Sequence, residues 1–123
     1  MKSESVKYRI PFEEQIVHSL EGIGVEKVIV FGSYSDGTNR ESSDIDLLVV
    51  TNDTYIPSSF KEKMAIKVKI ANTLSFVREK HSLDLIVFTS PMYERFLEMN
   101  SAFQKTISST GIILYERHHA SLA

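Results

Sequence analysis

The 123-residue sequence predicts an α/β (α+β) domain built on a mixed β-sheet flanked by helices, and three observations carry that prediction. Three β-branched apolar runs, VEKVIVFG, DIDLLVVT and LDLIVFT, read as strands over residues 26 to 31, 45 to 51 and 83 to 88. Stretches with apolar residues at helical spacing alternate with them. The first run ends in Gly32-Ser33, whereas the other two open on acids, Asp44-Ile45-Asp46 and Asp84. If these residues form one site, strand one runs antiparallel to strands two and three, which are then parallel to each other.

Pro11 opens PFEEQIVHSLEGIG, where Phe12, Ile16, Val17 and Leu20 recur at helical spacing, Glu13 and Glu14 fill the first turn and Gly22 lies near the end. The first helix is expected there. Asn52-Asp53 reads as the turn leaving strand two. The stretch SFKEKMAIKVKIANTLSFVREKH sets Phe60, Met64, Ile66, Ile70, Leu74 and Val77 roughly on one side. Lys61, Lys63, Lys67 and Lys69 fall mostly on the other and read as its solvated face. One long helix from about Phe60 to His81 is expected, and it supplies the crossover that two parallel strands need. Beyond strand three, Ser90 and Pro91 read as N-cap and N1 of a helix through Met99, and a further helix is expected from Ser101 to Ser109. GIILYER suggests a late strand or extended tail. Phe12, Phe60, Phe76, Phe96 and Phe103 occupy helical positions expected to face a core.

Composition bounds the partners. A length of 123 residues predicts one domain, residues 1–123, because neither of two halves would hold enough apolar residues for a stable core. Fourteen Lys and Arg against sixteen Asp and Glu give a net charge of −2, which argues against long nucleic acid as a partner. There are no cysteines, so thiolate metal sites are excluded and a cytoplasmic location is expected. MKSESVKYRI has no apolar leader core, and no apolar run approaches the roughly 20 residues that span a bilayer. His18 and His81 read as structural or surface residues, and His118 and His119 lack a second ligand pair at zinc-site spacing.

The chemistry lies where the strand ends meet. Side chains alternate along a strand, so Asp44 and Asp46 share a face with Leu48 and Val50, and Asp84 shares one with Ile86 and Phe88. Three ionised carboxylates at one mouth repel each other, and a divalent cation removes that repulsion. Hard oxygen ligands suit Mg²⁺, which completes its shell with water and phosphate oxygens. Gly32 lets backbone approach a phosphate closely, Ser33 adds a hydroxyl donor, and a short helix after them would aim its N–H groups at the anion. Arg40, in the loop before the acids, is a further candidate for a polyphosphate tail. Asp36, Glu41 and Asp53 read as solvated loop charges outside the site.

The segment GSYSDGTNRESSDIDLLVV, with Gly-Ser, ten residues and then Asp-x-Asp, closely resembles the signature of the DNA polymerase β-like nucleotidyltransferase superfamily, and LDLIVF resembles its third-acid strand. In size the chain is similar to the minimal nucleotidyltransferases often encoded beside HEPN-family proteins, with which they form antitoxin and toxin pairs. The resemblance implies that Gly32 and Ser33 hold the triphosphate, that Asp44 and Asp46 bind metal, and that Asp84 is the third acid, helping to activate the attacking hydroxyl. It further implies two Mg²⁺ ions, ATP as donor and a tyrosine of a HEPN-type toxin as acceptor. Asp36 departs from the pattern: relatives often carry Arg or Lys there, and the aspartate sets negative charge near the expected triphosphate. Two other readings stay open, a non-catalytic antitoxin that blocks its partner by contact, and transfer to a small molecule such as an aminoglycoside.

Overall fold

Each β-branched run forms a strand within one residue of its expected bounds, because such side chains pack well on a pleated surface. The computed structural model describes residues 9–117. Its elements are α1 (Glu13–Gly22), β1 (Lys27–Phe31), α2 (Ser33–Asp36), β2 (Ile45–Val50), α3 (Phe60–Thr73), α4 (Ser75–Arg78), β3 (Leu83–Phe88), α5 (Ser90–Glu98), α6 (Ala102–Thr110) and β4 (Ile112–Glu116). Four strands pair in the order β3-β2-β1-β4, with β1 antiparallel to β2 and β4 and β2 parallel to β3. The direction argued from the proposed site is therefore the one the sheet adopts, and GIILYER supplies the outer strand beside β1. Residues His118 and His119 lie outside the described residues.

Alternation splits the strands between two cores. Val28, Val30, Ile45, Leu47, Val49, Leu85 and Val87 pack with Ile16 and Leu20 of α1, Ile70 of α3 and Leu74 and Val77 around α4. On the opposite face Ile29, Leu48 and Val50 meet Phe96 of α5 and Ile107 of α6, with Phe31, Ile86, Phe88 and Tyr93 alongside. Aromatic rings edge the second cluster: Phe96 lies 5.2 Å from Phe88 and 6.0 Å from Phe103, and Phe103, which is itself exposed at the rim, meets Phe31 edge-on at 5.6 Å. These centroid distances are in the range of favourable ring pairs.

Four expectations need correction. The long helix is interrupted: Leu74 departs from helical geometry (φ −102°, ψ 21°) and α4 begins after it. Thr73 Oγ1 donates back to Lys69 O, a bond that bends helix ends, while Leu74 and Val77 stay fully buried. The apolar spacing was set by the core, which the chain satisfies with two helices as well as with one. Phe60, at the first turn of α3, is 77% exposed and does not face the core. The cap of α5 is Thr89, whose hydroxyl accepts from Met92 N, so Ser90 is already helical. At the first helix Pro11 precedes the start, and Phe12 (φ 61°) is the residue before the first helical turn. Ser101 caps α6 as a donor-accepting hydroxyl, bonded by Gln104 N.

Candidate active site

The parallel register of β2 and β3 sets Asp46 directly beside Asp84, and the antiparallel register of β1 and β2 sets Phe31 on its other side. Neighbouring strands lie about 4.8 Å apart, so these two carboxylates are side by side on the face that carries Leu48, Val50, Ile86 and Phe88. Asp44 stands one residue before β2, where ladder pairing starts with Ile45 N donating to Ser82 O at 2.9 Å. Asp44 and Asp84 are exposed and Asp46 is half-buried.

That difference appears in its ionisation. Burial pushes the Asp46 carboxyl above its usual range, and the charges of Asp84 and then Asp44 push it the same way. Among the described residues no three His, Asp or Glu side chains close into a ligand cluster. The donor set nevertheless fits a hard divalent cation: three carboxylates on one sheet end, one of them held against its charged form by burial and by its neighbours.

Gly32 joins the cluster through its backbone. It has φ 74° and ψ −149°, a conformation essentially reserved for glycine. A Cβ there would overlap Asp46 Oδ2 and sit 3.1 Å from Asp46 Cγ. The glycine is needed both by the turn out of β1 and by the carboxylate packed on it. Four residues of α2 follow, with Ser35 N and Asp36 N both donating to Gly32 O and with Ser35 Oγ adding a bond to the same oxygen at 2.9 Å. The N–H groups of Ser33 and Tyr34, at the start of α2, precede the first intrahelical bonds.

Arg40 shares the loop with Asp44 but forms no ion pair with the acids; it is exposed, and its backbone N–H donates to Ser43 Oγ at 2.7 Å. Asp36 turns out to have a local task. Its carboxylate accepts from Thr38 Oγ1 (2.6 Å) and Thr38 N (3.0 Å), bonds that hold it below the usual carboxylate range and close the turn after α2. Asp53 ties Thr51 at the opposite end of β2, away from the acids. One neighbour of the site had read only as a structural or surface residue: His81, whose ring bonds the carbonyl just before Asp44. Only its place three residues before Asp84 pointed to it.

Comparisons with known proteins bear on the family and the fold. The family model described as "Polymerase beta, Nucleotidyltransferase" matches residues 14–120. No curated protein sequence matches the chain significantly. Among solved structures, a toxin–antitoxin complex with AMP-PNP is 24% identical, with a TM-score of 0.51 over 85% of this chain and 73% of that one. A mutant of the toxin–antitoxin MntA-HpeT is also 24% identical, with a TM-score of 0.52 over 85% and 72%. A candidate nucleotidyltransferase from Sulfolobus solfataricus is 16% identical, with a TM-score of 0.52 over 98% of both chains. At these identities the likeness is one of fold.

Proposed function

The chain belongs to the polymerase β nucleotidyltransferase family, and on that premise we propose that it transfers AMP from ATP to a tyrosine hydroxyl of a HEPN-type toxin, neutralising it. The observation that carries the chemistry is the convergence of Gly32, Asp46 and Asp84 at neighbouring strand ends, with Asp44 one residue outside the ladder. The toxin–antitoxin structures that share the fold, one of them with AMP-PNP, support the nucleotide and the kind of partner. No helix among the described residues is long and apolar enough to cross a membrane.

In this reading Asp44, Asp46 and Asp84 hold Mg²⁺. Bound there, two such ions would supply Lewis-acid stabilisation of the attacking and leaving oxygens. Asp84 takes the proton of the acceptor hydroxyl as that oxygen forms its bond to the α-phosphorus and the bond to pyrophosphate breaks. Gly32 and the N–H groups at the start of α2 lie against the polyphosphate, with the Ser33 hydroxyl as a further donor and Arg40 reaching its outer end. The acceptor rests on the family resemblance and on the toxin–antitoxin structures that share the fold.

Incubation with α-labelled ATP, Mg²⁺ and the product of the adjacent gene tests this directly. Label should appear on that protein, and Asp44→Asn with Asp46→Asn should abolish it. Neutralisation of the toxin that survives both substitutions, without any label transferred, would sink the enzymatic reading. Transfer to an aminoglycoside with no protein partner present would replace the acceptor.

A further inference from the structure

Asp44 has an exposed position just outside the sheet, so something other than strand pairing has to fix it. The turn before it is tied on three sides. Ser43 N donates to Arg40 O at 3.0 Å, Ser43 Oγ accepts from Arg40 N at 2.7 Å, and Ser43 O lies 2.8 Å from His81 Nε2. A carbonyl only accepts, so Nε2 carries the proton and donates. The Ser43 carbonyl belongs to the same peptide plane as the Asp44 N–H. Through that plane the imidazole sets the direction in which Asp44 enters β2.

The same ring reaches the phosphate side of the site. It meets Tyr34 of α2 at 6.4 Å between centroids and 61° between planes, and Tyr34 follows Ser33 directly. His81 is half-buried, its own N–H bonds Val77 O at 2.8 Å, and it opens the turn into β3, three residues before Asp84. One side chain therefore touches α2 and the acid loop and stands on the segment leading to the third acid. We infer that His81 is a positioning residue, which through Ser43 O holds Asp44 in register with the other two carboxylates. This rests on the reading of the acids as a divalent-cation site, but the bracing of the strand entry is testable without it.

Two variants separate the donor from the ring. His81→Phe keeps an aromatic ring against Tyr34 and removes the N–H; His81→Gln retains a donor at nearly the same reach. In metal-free protein, amide exchange at Ile45, whose N–H bonds Ser82 O, should accelerate in His81→Phe and return toward the wild-type rate in His81→Gln. Titration with Mn²⁺ alone should show affinity falling by about 10-fold in His81→Phe, the range typical of groups that orient metal ligands, and staying within about 2-fold in His81→Gln. A His81→Phe protein with wild-type exchange at Ile45 overturns the inference whatever the metal result, as does one with faster exchange that Gln fails to restore. Wild-type protein that takes up no Mn²⁺ overturns the cation reading instead, and the exchange comparison then decides on His81 by itself.

Discussion

Replacing Gly32 with alanine tests the site where backbone and chemistry meet. Two effects are expected, and the structure allows both to be sized. A residue with a Cβ at φ 74°, ψ −149° sits in a region that costs on the order of 1–3 kcal/mol. At about 4 °C per kcal/mol for a chain of this size, Tm should fall by roughly 4–12 °C. The second effect falls on Asp46. The new methyl would overlap Asp46 Oδ2 and stand 3.1 Å from Asp46 Cγ, whereas carbon contacts settle at about 3.5–4.0 Å, so the carboxylate must retreat by at least roughly 0.4–0.9 Å. Displacements near 1 Å cost about 10²-fold when positioning carries catalysis. Transfer from α-labelled ATP should therefore drop by about two orders of magnitude at a temperature where the variant is still folded. Gly37 is the control: it also has positive φ, 84°, but a Cβ there meets nothing within 4 Å. Gly37→Ala should lose about 1–2 kcal/mol through its left-handed backbone and keep most of its transfer activity. Equal activities for the two variants would refute the claim that Gly32 matters through Asp46.

Three further outcomes follow from particular contacts. The raised carboxyl of Asp46 stabilises the fold fully only below the unfolded carboxylate value of about 3.9, and that contribution is lost as pH rises through the folded value. With divalent cations chelated, Asp46→Asn should thus be more stable than wild type at pH 7.5 and no more stable near pH 3.5, as read from urea midpoints. Leu74, fully buried at the break between α3 and α4, should lose about 2–5 kcal/mol on truncation to alanine, measurable by the same melts. Thr89→Ala removes the acceptor for Met92 N and should cost about 1 kcal/mol, whereas Ser90→Ala, which leaves that cap in place, should cost less.

Strand positions were legible because period-two patterning and β-branching act locally: Ile45, Leu47 and Val49 had to share one face, and the acids had to share the other with Leu48 and Val50. Strand direction was legible through chemistry, since Gly32 ends one strand while Asp44 and Asp84 begin others. What failed has a different physical origin. The periodicity of Ile70, Leu74 and Val77 states which side chains are buried and says nothing about whether the backbone between them stays hydrogen-bonded as one helix. Phe60 fitted the same pattern at its beginning, yet the core does not extend that far along α3. For α5 the helix took Thr89 over Ser90, a choice between two adjacent hydroxyls that local sequence alone does not rank.

The site shows the same division at finer scale. The shared face of Asp46 and Asp84 follows from strand patterning and so was within reach of sequence, whereas the register that sets them side by side came from the structure. The bond from His81 to Ser43 O joins residues 38 apart and depends on how the turn after α4 meets the acid loop, which no spacing encodes. Asp36 illustrates the reverse. By position alone it looked like an obstacle to triphosphate, but two bonds from Thr38 to its Oδ1 turn it to the closure of the loop after α2. Removing it by Asp36→Asn should therefore disturb the turn before it helps any nucleotide: an asparagine oxygen still accepts from Thr38, but without the charge that strengthens both bonds. Binding of an ATP analogue measured for Asp36→Asn and for Thr38→Val distinguishes the two roles. If charge near the phosphates dominates, the first variant binds tighter and the second does not; if loop closure dominates, both bind more weakly. The geometry supports the second outcome, because both Asp36 bonds run within the loop that presents Gly32 and Ser33.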